Sequence, residues 1–300
     1  MLRVSMFSFL RQTAVALVAL LAAGPLVAQT TSLPQLAAEK LCACVGEAPQ
    51  PDSATARLQR CLPQALTDAA IQQGSLQAIG TVEGMQSALL KTRELATASC
   101  PPLRNAYVAQ RTGQFYAPSN VAAAQQAYDT GTGLLEQQKY KEALPLFLQA
   151  IKLDRQFVKA HDHAAICYRK LQDFKKAATY YEKSLVIFPE GDLALLNMAV
   201  VQNLLEKPNA ARTYFEKLRF FHPYNPEGYF GIGKMALVAG EFPAALDNLF
   251  RAHRLYTEQE SPYVADSNKL IGLLYNSMKE KDQLALFRSK AQEYHFDIQE

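Results

Sequence analysis

Between residues 124 and 259, small, aromatic and polar positions return every 34 residues. Ala143, Ala177, Ala211 and Ala245 stand at that spacing, and four positions after each come Phe147, Tyr181, Phe215 and Leu249. Three positions before each alanine stand Tyr140, Phe174, Pro208 and Phe242. Twelve before it stand Gly131, Ala165, Ala199 and Gly233, and seven after it Ala150, Ser184, Leu218 and Ala252. Each period holds two apolar-faced runs divided by a polar pair: Gln138-Lys139, Gln172-Asp173, Glu206-Lys207 and Gly240-Glu241. The pattern predicts two antiparallel helices per period, with small residues letting the backbones approach and aromatics filling the gap to the next pair. Pro189 and Pro223 end their units, because proline disfavours helix at the residue before it. One unit cannot bury its apolar face alone, so neighbours must stack.

The pattern resembles the tetratricopeptide repeat. Its small positions, aromatics and terminal proline fall in register in VKAHDHAAICYRKLQDFKKAATYYEKSLVIFPEG, residues 158–191. The resemblance covers four units, 124–157, 158–191, 192–225 and 226–259. There are departures. No tryptophan occurs, so the fourth repeat position holds Ala127, His161, Leu195 or Tyr229, and in the third unit Leu218 replaces a small residue and Pro208 an aromatic one. A degenerate fifth unit or cap is expected at 263–294, after an insertion at 257–262. There Ile271-Gly272 and Tyr275 match the first helix and Ala291 the second, while Leu284 stands where alanine is expected. The resemblance implies an all-α fold, a right-handed superhelix of stacked antiparallel helix pairs. It also implies a scaffold that binds a partner protein or peptide in a concave groove, without catalysis.

The family's groove is lined by set positions of each first helix. Carried over, these include Tyr128 in the first unit and Asp162, Ile166 and Arg169 in the second. The third contributes Leu196, Val200 and Asn203, and the fourth Phe230 and Lys234. Members that grip a terminal carboxylate use lysine and asparagine where this chain has Tyr128 and Thr132, so an acidic C-terminal tail is not the expected partner. Leu196, Val200 and Phe230 offer an apolar strip for an amphipathic helix or extended segment instead.

The N-terminus reads as a signal peptide over residues 1–28. Arg3 and Arg11 precede an apolar run from Thr13 to Ala23, Gly24-Pro25 breaks the helix, and Ala28 stands before Gln29. The run is short of the roughly 20 residues of a comfortable membrane span, and Gln29 is not the cysteine of a lipoprotein. The mature protein is therefore expected to be exported: periplasmic, cell-envelope-associated or secreted, touching membrane only before cleavage. From +3, loss of the peptide removes two arginines and no acid and leaves a formal charge of +1. A near-neutral chain without basic clusters interleaved with aromatics is not expected to bind nucleic acid.

Residues 29–115 are expected to form a small helical domain. Helices are read from Pro34 to Glu47, from a cap at Asp52 or Ser53 toward Cys61 with Pro63 limiting or restarting it, and from Ser75 to Ala98. Residues 110–122 are expected to link or dock this domain onto the first unit. Cys42, Cys44, Cys61 and Cys100 lie here, and in an oxidising compartment such cysteines pair. Cys42 and Cys44 point about 200° apart on a helix, so each is expected to bridge to Cys61 or Cys100, in either order. The alternative is a redox or metal-binding protein acting through these four cysteines, but the spacing lacks Cys-x₂-Cys knuckles and a Cys-x-x-Cys redox pair.

No phosphate-cradling loop, nucleophile elbow or zinc-protease signature occurs, so no catalytic residue, metal, cofactor or small-molecule substrate is expected. His161, His163 and Cys167 make the most tempting cluster, with His163 and Cys167 on one helix face. The repeat register places Cys167 at a small packing position, where a lone thiol is inert filler.

Overall fold

The computed structural model describes residues 31–297; the signal peptide expected at 1–28 lies outside the described residues. Among the described residues every regular element is helical. Four helices precede the repeats: α1 (Leu33–Val45), α2 (Pro51–Gln73), α3 (Val82–Ser99) and α4 (Pro101–Phe115).

Helix α2 starts with proline, where the missing N–H would have had no partner, and carries Asp52 in its first turn, where a carboxylate favours the helix dipole. The expected break at Pro63 does not occur. An interior proline costs about 3 kcal/mol in an isolated helix, but here Cys61 is tied by a disulfide and Ala65, Leu66, Ala69 and Ala70 are buried on the far side. Gly74, at φ 64°, closes the helix in the left-handed region. Helix α3 begins later than expected because Leu76–Ile79 form a short 3₁₀ turn and the Thr81 hydroxyl caps Gly84 N–H at 3.0 Å. Cys100 then ends α3 and Pro101 starts α4, a helix whose last residues, from 110, were expected to link or dock onto the first unit.

Disulfides join Cys42 to Cys100 and Cys44 to Cys61, with Cα–Cα distances of 5.5 and 5.9 Å. They staple a core of Leu41, Val45, Ala54, Ala96 and Leu103. Such a small core gains from covalent links.

The repeats follow as α5 (Ala122–Glu136) with α6 (Tyr140–Leu153), α7 (Val158–Lys170) with α8 (Phe174–Ile187), α9 (Asp192–Leu204) with α10 (Pro208–Phe221), and α11 (Pro226–Ala239) with α12 (Phe242–Glu258). A fifth pair, α13 (Val264–Glu280) and α14 (Leu284–Glu293), ends the array. All four period-marking alanines are fully buried. The two departures in the third unit are accommodated: Leu218 is fully buried, and Pro208 takes the first position of α10. Each turn between paired helices places one residue at positive φ: Gln138, Gln172, Glu206, Gly240 and Asp282, between 55° and 72°. In each, the next N–H reaches back five residues to a carbonyl, as Asp173 does to Tyr168 at 2.9 Å. From Leu33 onward the chain is one compact unit.

Candidate partner-binding surface

Helix α4 carries the stapled helices onto the repeats. Buried Arg104 donates from Nε to the Phe220 carbonyl at 2.5 Å and from Nη1 to the Ala98 carbonyl at 2.6 Å, and its guanidinium lies 3.9 Å over the Phe220 ring. Two turns on, Arg111 Nη2 donates to Glu190 Oε2 at 3.2 Å. Phe115 stacks on Phe188 at 5.0 Å, and the Tyr116 hydroxyl donates to Asp162 Oδ2 at 2.6 Å. Gly191 makes room for this phenol, since even a Cβ there would sit 3.3 Å from the Tyr116 hydroxyl. Residues 111–116 therefore dock on the second unit and its junction with the third, not on the first. The first is reached by Ser119, whose hydroxyl bonds Asp154 at 2.5 Å.

Asp162 lies fully buried beneath Tyr116. Burial raises its carboxyl to about 7; the neighbouring Ser184 and the hydrogen bond from Tyr116 oppose the rise and Asp192 adds to it. Burial, then the Asp162 carboxyl, pushes the Tyr116 phenol far above its ordinary value. His163 stacks on Tyr128 at 5.1 Å and burial drops its imidazole to about 4. Cys167 is fully buried among Ala143, Phe147 and Ala164, which pushes its thiol up to about 12 and leaves it unreactive. Among the described residues no three His, Cys, Asp or Glu side chains gather around a metal-sized site.

The residues assigned to the groove divide. Tyr128 is half-buried: its ring packs against Phe157 at 4.8 Å and Phe147 at 5.7 Å, filling the gap between units. Asp162 is not open, being covered by Tyr116. Ile166 is half-buried against the core of Ala177, Tyr181 and Met198, and half-buried Arg169 faces the Tyr181 phenol. Leu196, Val200 and Phe230 are half-buried, Phe230 edge-on to Tyr256 at 5.9 Å. Asn203 and Lys234 are exposed. Of the assigned residues on α9 and α11, three apolar side chains are thus partly exposed and two polar ones fully so. Arg104, Arg111, Phe115 and Tyr116 were missed in the sequence. Their signal was two arginines seven apart on one face, followed by an aromatic pair in a stretch taken as connection.

Residues 121–192 match the family model described as tetratricopeptide repeat. Hsp70-Hsp90 organizing protein 1 of Glycine max is 33% identical over 110 residues, which is 36% of this chain and 19% of that relative. The chain thus spans less than a fifth of that relative's length. Among solved structures, MamA 41-end from Desulfovibrio magneticus RS-1 is 16% identical with a TM-score of 0.47, covering 60% of this chain and 96% of that one. The APC/C hetero-tetramer Cut9-Hcn1 is 15% identical with a TM-score of 0.49, covering 84% of this chain and 52% of that one. The chain carries tetratricopeptide repeats, on its 34-residue period, its helix pairs and the family match together. Repeats of this class support a protein–protein interaction scaffold.

Proposed function

We propose that this is an exported scaffold without catalytic activity, which holds a partner protein or peptide on the concave face of its third and fourth units. The observation that carries the reading is the strip of Leu196, Val200 and Phe230 with Asn203 and Lys234 at its rim, beside a second unit that Tyr116 already covers. A half-buried apolar strip edged by polar groups suits an amphipathic helix or extended segment. The Glycine max relative, named as an organizing protein, supports a role in holding other proteins. Crosslinking capture from the native cell envelope tests it. Val200→Glu with Lys234→Glu, at a half-buried and an exposed position, should lower recovered partner by about tenfold or more with helicity unchanged. Equal recovery sinks the groove reading.

The export reading draws on the basic, apolar, breaker, small-residue order of 1–28, and on four cysteines paired as oxidising compartments pair them. The mature chain should begin at Gln29 and show one titratable thiol, Cys167, when denatured without reductant. A chain that keeps residues 1–28, or shows five free thiols, overturns this.

A further inference from the structure

On α3, Leu90, Arg93, Glu94 and Thr97 fall on one helix face, three or four residues apart. That face borders a cleft of about 570 Å³. Its other walls are α4, through Tyr107 and Val108, and the end of α10, through Phe220 and Phe221. Val108 is buried, but Leu90, Tyr107 and Phe220 are 71%, 44% and 47% exposed. Single exposed apolar residues are ordinary on a protein surface. Three large ones, from separate helices around one hollow, leave apolar area for a ligand to cover. The volume is that of a small-molecule site, for which about 300–1,000 Å³ is usual.

The same cleft carries more positive than negative charge. Arg104, 9% exposed, lines it, held by the Phe220 and Ala98 carbonyls and the Phe220 ring. These dipoles orient the cation without neutralising it, and among the described residues no carboxylate bridges it. Burial lowers the guanidinium's pKa below the ordinary arginine value, opposed by Tyr229. Arg93 stands exposed on the α3 wall, also without an acid bridged to it among the described residues. The acid of the lining, Glu94, is bridged by Lys91 at 2.9 Å. A buried charge is ordinarily matched by an opposite one, and arginine suits a carboxylate because it can offer two donors at once.

We propose that this cleft binds a free carboxylate amphiphile of the fatty-acid class, its headgroup toward Arg93 and Arg104 and its chain laid on Leu90, Tyr107 and Phe220. The size of the hollow argues for a small molecule, and its two arginines against one bridged acid argue for the anion. The site lies where the stapled helices meet the third unit, apart from the strip on α9 and α11 proposed for a partner protein.

The probe is dodecanoate, kept below the concentration at which it forms micelles and titrated into the full chain by calorimetry. Binding should saturate at one site. Dodecan-1-ol, which lacks the anion, and acetate, which lacks the chain, should each bind about tenfold or more weakly. Ala98→Trp, which fills the cleft from an exposed position, and Arg93→Glu should weaken dodecanoate by a similar factor, while Glu94→Gln should tighten it. Arg104→Gln should lose it too, but because that change also loosens α4, the exposed variants decide. Val200→Glu with Lys234→Glu, on the other surface, should leave it unchanged. No saturable binding, an alcohol that binds as tightly as the carboxylate, or binding that survives Ala98→Trp with helicity intact overturns the proposal. Sedimentation with phosphatidylglycerol vesicles that Leu90→Glu abolishes, in a chain that does not take up dodecanoate, would give the cleft to a membrane surface and overturn the free ligand.

Discussion

Burial beneath Tyr116 lets the folded chain hold a proton on Asp162 up to about pH 7, whereas the unfolded chain releases it near 3.8. Between those values the folded state binds more protons than the unfolded one, so stability must fall as pH rises through that window. The contribution is complete below about pH 4 and absent above about pH 7. Asp162→Asn keeps an acceptor for the Tyr116 hydroxyl and removes the titration. Its melting temperature relative to the native chain should therefore climb steadily from pH 4 to pH 7.5, by about 2–4 °C for each kcal/mol involved. Thermal melts across that range decide it, and parallel profiles for the two proteins would refute the buried-acid account. His163 and Cys167 belong to the same scale. Both looked like chemistry in the sequence, and both are packed where burial holds the imidazole and the thiol neutral.

At the scale of helices, the repeats were legible because one packing solution recurs. The small residue at Ala177 and the large one at Tyr181 are set by the distance between two backbones, and that distance returns every 34 residues. Even the turns were marked by polar pairs, although four of the five left-handed positions are filled by Gln138, Gln172, Glu206 and Asp282 rather than glycine. The first four helices were less legible because no second copy checks them. Pro63 read locally as a stop, yet a disulfide on one side and buried Leu66 on the other carry α2 through it. Helix α4 was invisible for a related reason. Its buried residues Leu103, Arg104 and Val108 are few, and Arg104 is buried against Phe220, more than a hundred residues away. Asp162, a groove position by the repeat, is covered on the same account: repeat positions assume an open face, and Tyr116, which covers it, has no counterpart in the repeat.

For the whole molecule, the consequence is that the stapled helices act as a fixed strap on the array. The Cys42–Cys100 disulfide fastens the start of α4 to α1, Arg104 and Arg111 anchor its length, and Phe115 and Tyr116 close its far end over Phe188 and Asp162. A half-buried ion pair, one phenol hydrogen bond of about 1 kcal/mol and a ring contact of about 0.5–1.5 kcal/mol make the far end a latch of a few kcal/mol. That is enough to keep the second unit covered most of the time, and weak enough to be opened by substitution without unfolding either side. Arg111→Glu with Tyr116→Ala should speed amide hydrogen exchange in the last two turns of α4 and around Asp162 and Gly191. Exchange in α1 and α2, held by the disulfides, and in α11 and α12 should stay as it was. If protection near Asp162 is unchanged, the strap is not what covers that face. If it is lost together with protection in α11 and α12, α4 is a structural part of the array rather than a cover over it, because only a cover can lift without loosening the units beyond it.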